Sequence, residues 1–283
     1  MFLRPIPAGA LHPGGIGAAL ASLSRRPTLW VEAGVVLVWT AMAVGASVVD
    51  PGSASGSGSP WSNGGSLWIC MTGMGEMGAG SAAHTVPLAL SGGPASLAAT
   101  LPMLALMAVA MMLPPAMPAV RHVAVNSLYW RRRRAMVEFL LVFVGIWVAF
   151  DLVVLGALAR WGWGASPPAA AAALALAALW QLTPLKRRSM LACHRASPLP
   201  PRGWRATAGV ADFGMRHGFA CLGSCWAMML TTAFVGLPRL AWMAALTTLI
   251  TVERLNLKPR RTARRVGAML AAAAVAAAVL ALV

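Results

Sequence analysis

One apolar segment carries two of the four cysteines: Gly214-Met-Arg-His-Gly-Phe-Ala-Cys-Leu-Gly-Ser-Cys-Trp-Ala-Met-Met229. Cys221 and Cys225 are four positions apart, so on an α-helix both sulfurs lie on one face, one turn from each other. Ser224 falls about 100° around the helix from Cys225, and we expect it to point away from that face. Three further residues lie close to the cysteine stripe: His217, Met228 and Met229. The segment therefore predicts a helix with one face of sulfur and nitrogen donors.

Thiolate, thioether and imidazole groups are soft or borderline ligands, which favour Cu(I) or Zn(II) over Mg(II) or Ca(II). Zn(II) usually takes four ligands, whereas Cu(I) is satisfied by two or three sulfurs. The cysteine pair therefore predicts a copper site, with zinc as the alternative. A second interpretation stays open, because cysteine and methionine also bury readily as packing residues in a helix bundle.

The composition indicates an integral membrane protein. Of the 283 residues, 59% are hydrophobic and 11% are charged, and the mean hydropathy is +0.71. The formal net charge of +16 does not indicate a nucleic-acid partner, because the basic residues crowd between long apolar runs. That alternation marks the cytoplasmic loops of a polytopic protein, and the partner it implies is the lipid bilayer. Four cysteines without a regular spacing do not indicate a disulfide framework.

The alternation predicts a single all-α domain over residues 1–283, a transmembrane bundle of six to seven spans with a cytoplasmic N-terminus. The spans are predicted at residues 29–49, 97–113, 139–159, 165–182, 219–237, 239–255 and 266–283, with an outer loop at 50–96. The apolar part of the sixth span is shorter than the roughly 20 residues that a crossing helix needs. Spans five and six could therefore form a re-entrant hairpin. We expect a multi-pass protein of the cell inner membrane.

Two boundaries depend on local chemistry. Pro114-Pro115 is expected to end the second span, since proline cannot donate a helical hydrogen bond. The polar stretch 183–216 is expected to be a cytoplasmic loop, because it is rich in arginine and proline. Inside the second span, Met103, Met107 and Met111 recur every four residues, which is typical of core packing and also suits a relay of weak metal sites.

Two further groups of soft ligands lie outside the cysteine helix. The outer loop contains Cys70, Met71, Met74, Met77 and His84 between several glycines, and it is interpreted as a capture site or as a linker that happens to hold methionines. Cys193 and His194 follow Lys186 on the cytoplasmic side, where they could converge with His217 and Cys221. The alternative for this pair is a mobile loop with a free thiol.

Acidic groups near the apolar segments are few. Asp151 lies near the middle of the third span, where a carboxylate is costly and usually faces the bundle interior or a partner. We interpret it as a polar pin between helices, with proton carrier and cation ligand as alternatives. Glu253 is expected at the membrane interface, paired with Arg254 or Lys186.

Three passages together resemble a known family. They are Ala110-Met-Met-Leu-Pro-Pro-Ala-Met-Pro118, Gln181-Leu-Thr-Pro-Leu-Lys186 with Cys193 seven residues on, and Cys221-Leu-Gly-Ser-Cys-Trp226 followed by Gly236, Trp242-Met243 and Glu253. The combination resembles the bacterial family described as predicted metal-binding integral membrane proteins, a domain of unknown function, over roughly residues 97–257. Relatives in that family tend to carry cysteine near position 189 and at 224, where this chain has Ser189 and Ser224. The resemblance implies metal binding and names no metal.

These observations favour a membrane protein that binds and traffics a soft metal, most readily copper. The expected partner is a periplasmic metal-binding protein. The alternative is a metal-free membrane assembly or scaffold subunit. The sequence contains no metallohydrolase helix, nucleophile elbow, phosphate-binding loop or dinucleotide fingerprint. We therefore do not expect an enzyme, and a cysteine-dependent membrane enzyme is the remaining catalytic alternative.

Overall fold

The computed structural model describes residues 27–48, 94–161, 166–195, 197–234, 239–256 and 259–282. These residues form eight α-helices and one 3-10 turn, Tyr129–Arg131, and contain no strand, so the all-α prediction is confirmed for this part of the chain. The helices are α1 (Leu29–Val48), α2 (Pro94–Asn126), α3 (Arg132–Trp161), α4 (Pro167–Leu182), α5 (Pro184–Cys193), α6 (Gly203–Phe234), α7 (Arg239–Leu255) and α8 (Pro259–Leu282).

Helix α2 does not stop at Pro114-Pro115, and the predicted boundary at residue 113 is wrong. Pro114 has no N–H to donate to the carbonyl of Ala110, four residues earlier. The indole Nε1 of Trp39 on α1 donates to that carbonyl instead, at 3.0 Å. A tertiary hydrogen bond therefore replaces a helical one, which stabilises a helix that continues through the prolines.

The stretch 183–216 is not a loop throughout, because α5 and the first half of α6 lie in it. Thr183 caps α5 by accepting from the backbone N–H of Lys186 at 3.3 Å, and Pro184 occupies the first turn, where its missing N–H costs nothing. The first half of α6 buries Ala206, Val210 and Phe213, which recur at helical spacing. Tertiary burial of this stripe outweighs the polar composition.

A sharp bend joins α4 to α5. The two helices meet at Thr183 with an angle of 70° between their axes. Thr183 has extended backbone angles, φ −71° and ψ 146°, as is typical of a residue before proline. The bend lays α5 against α6, which brings Lys186 and Cys193 beside the cysteine helix.

Helix α6 lies at the centre and packs against α3, α4, α5 and α7. Its contact with α3 is close because two glycines face that helix: a Cβ atom at Gly214 would lie 3.2 Å from Val142, and one at Gly218 would lie 2.5 Å from Cδ1 of Ile146. Cys221 and Cys225 belong to the same hydrophobic core as the fully buried aromatic residues of α3. These two candidate ligands are thus held in a packed interior.

Three helical segments are long and apolar enough to cross a membrane: Thr100–Asn126, Tyr129–Leu158 and Arg261–Val279. The bent pair α4–α5 would make a fourth if it is one span, and Leu29–Val44 is a shorter apolar helix. These helices are compatible with a membrane protein. The predicted total of six to seven spans and the cytoplasmic N-terminus stay predictions, and residues 50–93 of the outer loop predicted at 50–96 lie outside the described residues.

Candidate metal centre

Helix α6 presents two buried thiols to its neighbours. Cys221 is fully buried and Cys225 is 3% exposed, and their side chains interact directly with each other, as the spacing predicts. Cys193, at the end of α5, lies on a helix packed against α6 and is half-buried. All three are free thiols. The bend between α4 and α5 therefore creates a cluster of three sulfurs from two helices.

The guanidinium of Arg254, on α7, lies among these sulfurs. Its Nη2 donates to Oγ of Ser224 at 3.0 Å, and it lies 3.5 Å from Sγ of Cys193 and 3.9 Å from Sγ of Cys225. The residue is 8% exposed, so this positive charge is buried with the thiols. Such a charge stabilises a thiolate, because it supplies the countercharge that a low-dielectric interior otherwise lacks.

Arg254 is the residue of this cluster that the sequence interpretation does not assign to the site, since it predicts the arginine only as a cytoplasmic charge or a partner of Glu253. A signal for it does exist in α7. Met243, Leu246 and Ile250 form a buried stripe at helical spacing, and the next positions on that stripe are Glu253 and Arg254. The periodicity thus places both charges on the core side of the helix.

Ser224 lies inside the cluster, contrary to the expectation that it points away. Its Oγ donates to the carbonyl of Cys221 at 2.8 Å and lies 3.2 Å from Sγ of Cys225. Ser224 is one helical position, about 100°, from Cys225, but Arg254 on α7 contacts the side of α6 that carries the serine. The site therefore extends around α6 beyond the single cysteine face.

A second buried pair lies beside the sulfurs. Nζ of Lys186 and Oε2 of Glu253 are 2.8 Å apart, with side chains only 2% and 3% exposed. Of the two partners predicted for Glu253, the structure pairs it with Lys186, and its expected position at the membrane interface stays a prediction. Nearby, Nε2 of Gln181 donates to Sδ of Met228 at 3.2 Å, so this thioether already has a polar partner.

The remaining predicted ligands occupy different environments. His217 is 6% exposed and packs against the rings of Phe139, Phe143 and Phe213, at centroid distances of 5.8 to 5.9 Å. Met229 is buried, and His194 is exposed at the end of α5. The outer-loop candidates lie outside the described residues: Cys70, Met71, Met74, Met77 and His84.

Within the described ranges, no three His, Cys, Asp or Glu side chains form a group arranged to hold a metal ion. The donors that do come together are the three thiols, with the Arg254 guanidinium between them. Asp151 lies apart from them on α3, where it is half-buried and its Oδ2 has no hydrogen-bond partner among the described residues.

These features describe an all-α protein whose central helix buries a cluster of soft donors. Residues 101–277, more than half of the chain, match the PpoB2 family, whose description is copper chaperone. The chain belongs to this copper chaperone family, which agrees with the prediction of a copper-related function. No curated protein and no solved structure matches the chain.

Proposed function

We propose that this protein is a membrane-embedded copper chaperone that holds Cu(I) between the sulfurs of Cys221 and Cys225. The observation that carries the proposal is the position of Arg254, whose buried guanidinium lies against Cys225, Cys193 and Ser224. A buried cation among thiols is costly unless those thiols, or a complex that they form, carry negative charge.

The charges of the cluster support a copper–thiolate complex. Two buried cations, Lys186 and Arg254, share the region with one buried carboxylate, Glu253, so these side chains leave one positive charge uncompensated. A Cu(I) ion bound by two thiolates has a net charge of −1 and would balance it. In the copper-free protein a single thiolate would do the same.

Cys193 is the candidate for a third sulfur. It shares the guanidinium Nη2 with Cys225, so a small withdrawal of Arg254 would leave the two sulfurs facing one space. Met228 is a weaker candidate, because its sulfur accepts a hydrogen bond from Gln181. His217 would first have to leave its aromatic surroundings.

The membrane part of the proposal is supported by the three to four helices that are long and apolar enough to span a bilayer. In an inner membrane, the glycine- and methionine-rich loop at 50–96 would capture copper on the periplasmic side, from a metal-binding partner, through Cys70 and the methionines that follow it. The cysteine face of α6 would then hold the ion for transfer. We propose binding and transfer, without catalysis.

The test is Cu(I) retention by the purified full-length protein in detergent, measured by competition with a chromophoric Cu(I) chelator. Cys221→Ser and Cys225→Ser should each remove most of the bound copper, and the double variant should remove little more, because neither thiolate holds the ion well alone. Cys193→Ser should weaken retention less. Met42→Leu, a buried methionine change on α1, serves as the matched control and should retain copper fully. A folded double cysteine variant with wild-type copper content would refute the proposal and favour a metal-free assembly subunit.

A further inference from the structure

An open cleft of about 790 Å³ lies between α5 and α6. Ala192 and Ala220 line it, and each of them is the chain neighbour of a cysteine in the sulfur cluster. The cleft therefore runs along the same two helices that carry the thiols. Its volume falls within the range of small-molecule sites, roughly 300–1,000 Å³.

The lining of the cleft is strongly basic. It contains three arginines, Arg188, Arg195 and Arg216, and no acidic side chain. Arg216 pairs with Asp212 at 2.9 Å, whereas neither of the other two has an ion pair in the part of the chain that the structure describes. Several guanidinium groups around one concave surface attract a ligand with more than one negative charge.

The inner wall of the cleft contains the imidazole of His217, which interacts with the backbone of Cys193 and has one nitrogen without a partner in the described part of the chain. His217 lines the cleft and is 6% exposed, and its Nε2 has no hydrogen-bond partner among the described residues. A buried nitrogen of this kind costs free energy unless something satisfies it. Ser189 and Ser197 add polar residues to the lining. The lining thus offers both fixed charge and an unsatisfied polar atom to a bound molecule.

We propose that this cleft binds a small, multiply anionic thiol and that this ligand delivers Cu(I) to the cysteines of α6. The inference rests on the proposed copper-binding function for the identity of the cargo. A thiol is favoured over a simple anion because Cu(I) is a soft ion that is carried by sulfur ligands, and because the cleft adjoins the sulfur cluster. The carboxylates of such a carrier fit the arginines.

The transfer is a ligand exchange without a redox step. The copper-free pair of Cys221 and Cys225, one thiol and one thiolate, forms two copper–sulfur bonds as the copper–sulfur bond to the carrier breaks, and copper remains Cu(I). The departing carrier thiolate takes up the proton that the protein thiol releases, so charge and protons balance. The carrier leaves as the free thiol.

The binding test uses copper-free reduced glutathione as the probe, titrated calorimetrically into full-length protein in neutral detergent. The variant Arg188→Glu/Arg195→Glu should raise the Kd about tenfold or more, since each arginine offers a charge-assisted hydrogen bond. Arg202→Glu/Arg205→Glu is the matched control, because both residues are exposed and neither lines the cleft. The control should stay within about twofold of wild type. Absence of measurable binding by wild type, or equal effects of the two variants, would overturn the proposal.

A kinetic experiment tests the carrier proposal separately from the proposed copper site. The cleft variant should load more slowly than wild type from a Cu(I)–glutathione complex, yet reach the same copper content in chelator competition. Cys221→Ser/Cys225→Ser should lose copper and still bind copper-free glutathione. Retained copper in that variant refutes the copper site, whereas unchanged loading by the cleft variant refutes the carrier.

A lipid arm tests the other source of anionic groups. Nanodiscs of zwitterionic lipid are compared with nanodiscs that contain phosphatidylglycerol. In one outcome, the cleft variant and wild type differ only in the anionic nanodiscs and have the same Kd for glutathione. In that case the arginines bind lipid headgroups and the proposal is wrong. A higher Kd for glutathione in the cleft variant than in wild type, measured in zwitterionic nanodiscs, supports the carrier.

Discussion

The buried pair of Lys186 and Glu253 allows a quantitative test of the charge balance around the cysteines. We consider three changes: Lys186→Met, Glu253→Gln and the two together. Each single change removes one ion of a pair whose side chains are 2% and 3% exposed. The double change removes both and leaves the net charge of the cluster as it is in the wild type.

The magnitude follows from the geometry. At 2.8 Å, and with an effective dielectric constant of about 20, the attraction within the pair is about 6 kcal/mol, which desolvation of the two ions largely offsets. Loss of one partner leaves the other ion buried and should cost about 3–5 kcal/mol. Glu253→Gln should fall at the upper end, because it leaves Lys186 together with Arg254 and no carboxylate between them. Lys186→Met should fall at the lower end, and the double variant should lie within about 1–2 kcal/mol of wild type.

The measurement is the free energy of unfolding in mixed detergent micelles, followed by tryptophan fluorescence. The control is the exposed pair of Arg216 and Asp212, with side chains 71% and 51% exposed, where Arg216→Ala should cost less than about 1 kcal/mol. The reasoning is refuted if Lys186→Met lowers the free energy of unfolding by no more than Arg216→Ala does. It also fails if the double variant is as unstable as the sum of the singles, since that outcome means the ions do not compensate each other.

Three further predictions use the same unfolding assay. Trp39→Phe should cost about 1–3 kcal/mol, because it leaves the carbonyl freed by Pro114 without a donor, and adding Pro114→Ala should recover part of that loss; no recovery would contradict this account of α2. Gly218→Ala should be neutral to destabilising by up to about 1 kcal/mol, because the end of an isoleucine side chain of α3 must turn aside to make room, whereas Gly145→Ala, with open space around it, should be neutral or stabilising by up to about 1 kcal/mol; a Gly218→Ala variant more stable than Gly145→Ala would show that α3 and α6 are not in close contact. Asp151→Asn should be tolerated, while a lysine there should cost about 2.5–3.5 kcal/mol if the site is at mid-membrane; loss of copper retention by a folded Asp151→Asn would replace the polar-pin interpretation with a transport role.

The helices were largely predictable because the apolar runs are long, and hydrophobic periodicity is a strong local signal. The errors occur where a distant residue decides the local structure. Continuation of α2 beyond Pro114 depends on Trp39, 71 positions away along the chain from the carbonyl that it contacts. Helix α5 depends on the cap at Thr183 and on packing against α6, and a composition rich in arginine hides both.

The candidate site was also predictable only in part, and the unpredicted part again depends on distant residues. The shared face of Cys221 and Cys225 follows from helical geometry alone, and the structure places both thiols together. The approach of Cys193 depends on the 70° bend, and the position of Arg254 depends on how α7 packs. Neither contact is encoded in a short sequence motif, so spacing rules reveal the ligand pair but not its countercharge.

The countercharge narrows the choice of metal. A four-coordinate Zn(II) site would need a fourth donor besides Cys193, Cys221 and Cys225. Of the imidazole candidates, His217 is packed among three phenylalanine rings and His194 is exposed at the end of α5. Cu(I) needs only two sulfurs, and its bis-thiolate complex matches the single positive charge that the buried ions leave. Ser224 is consistent with a site of few thiolates, because its hydroxyl accepts a hydrogen bond from Arg254 without adding a further negative charge. Replacement of Ser224 by cysteine should therefore change the charge of the cluster as well as its number of ligands, and should favour a metal ion of higher charge.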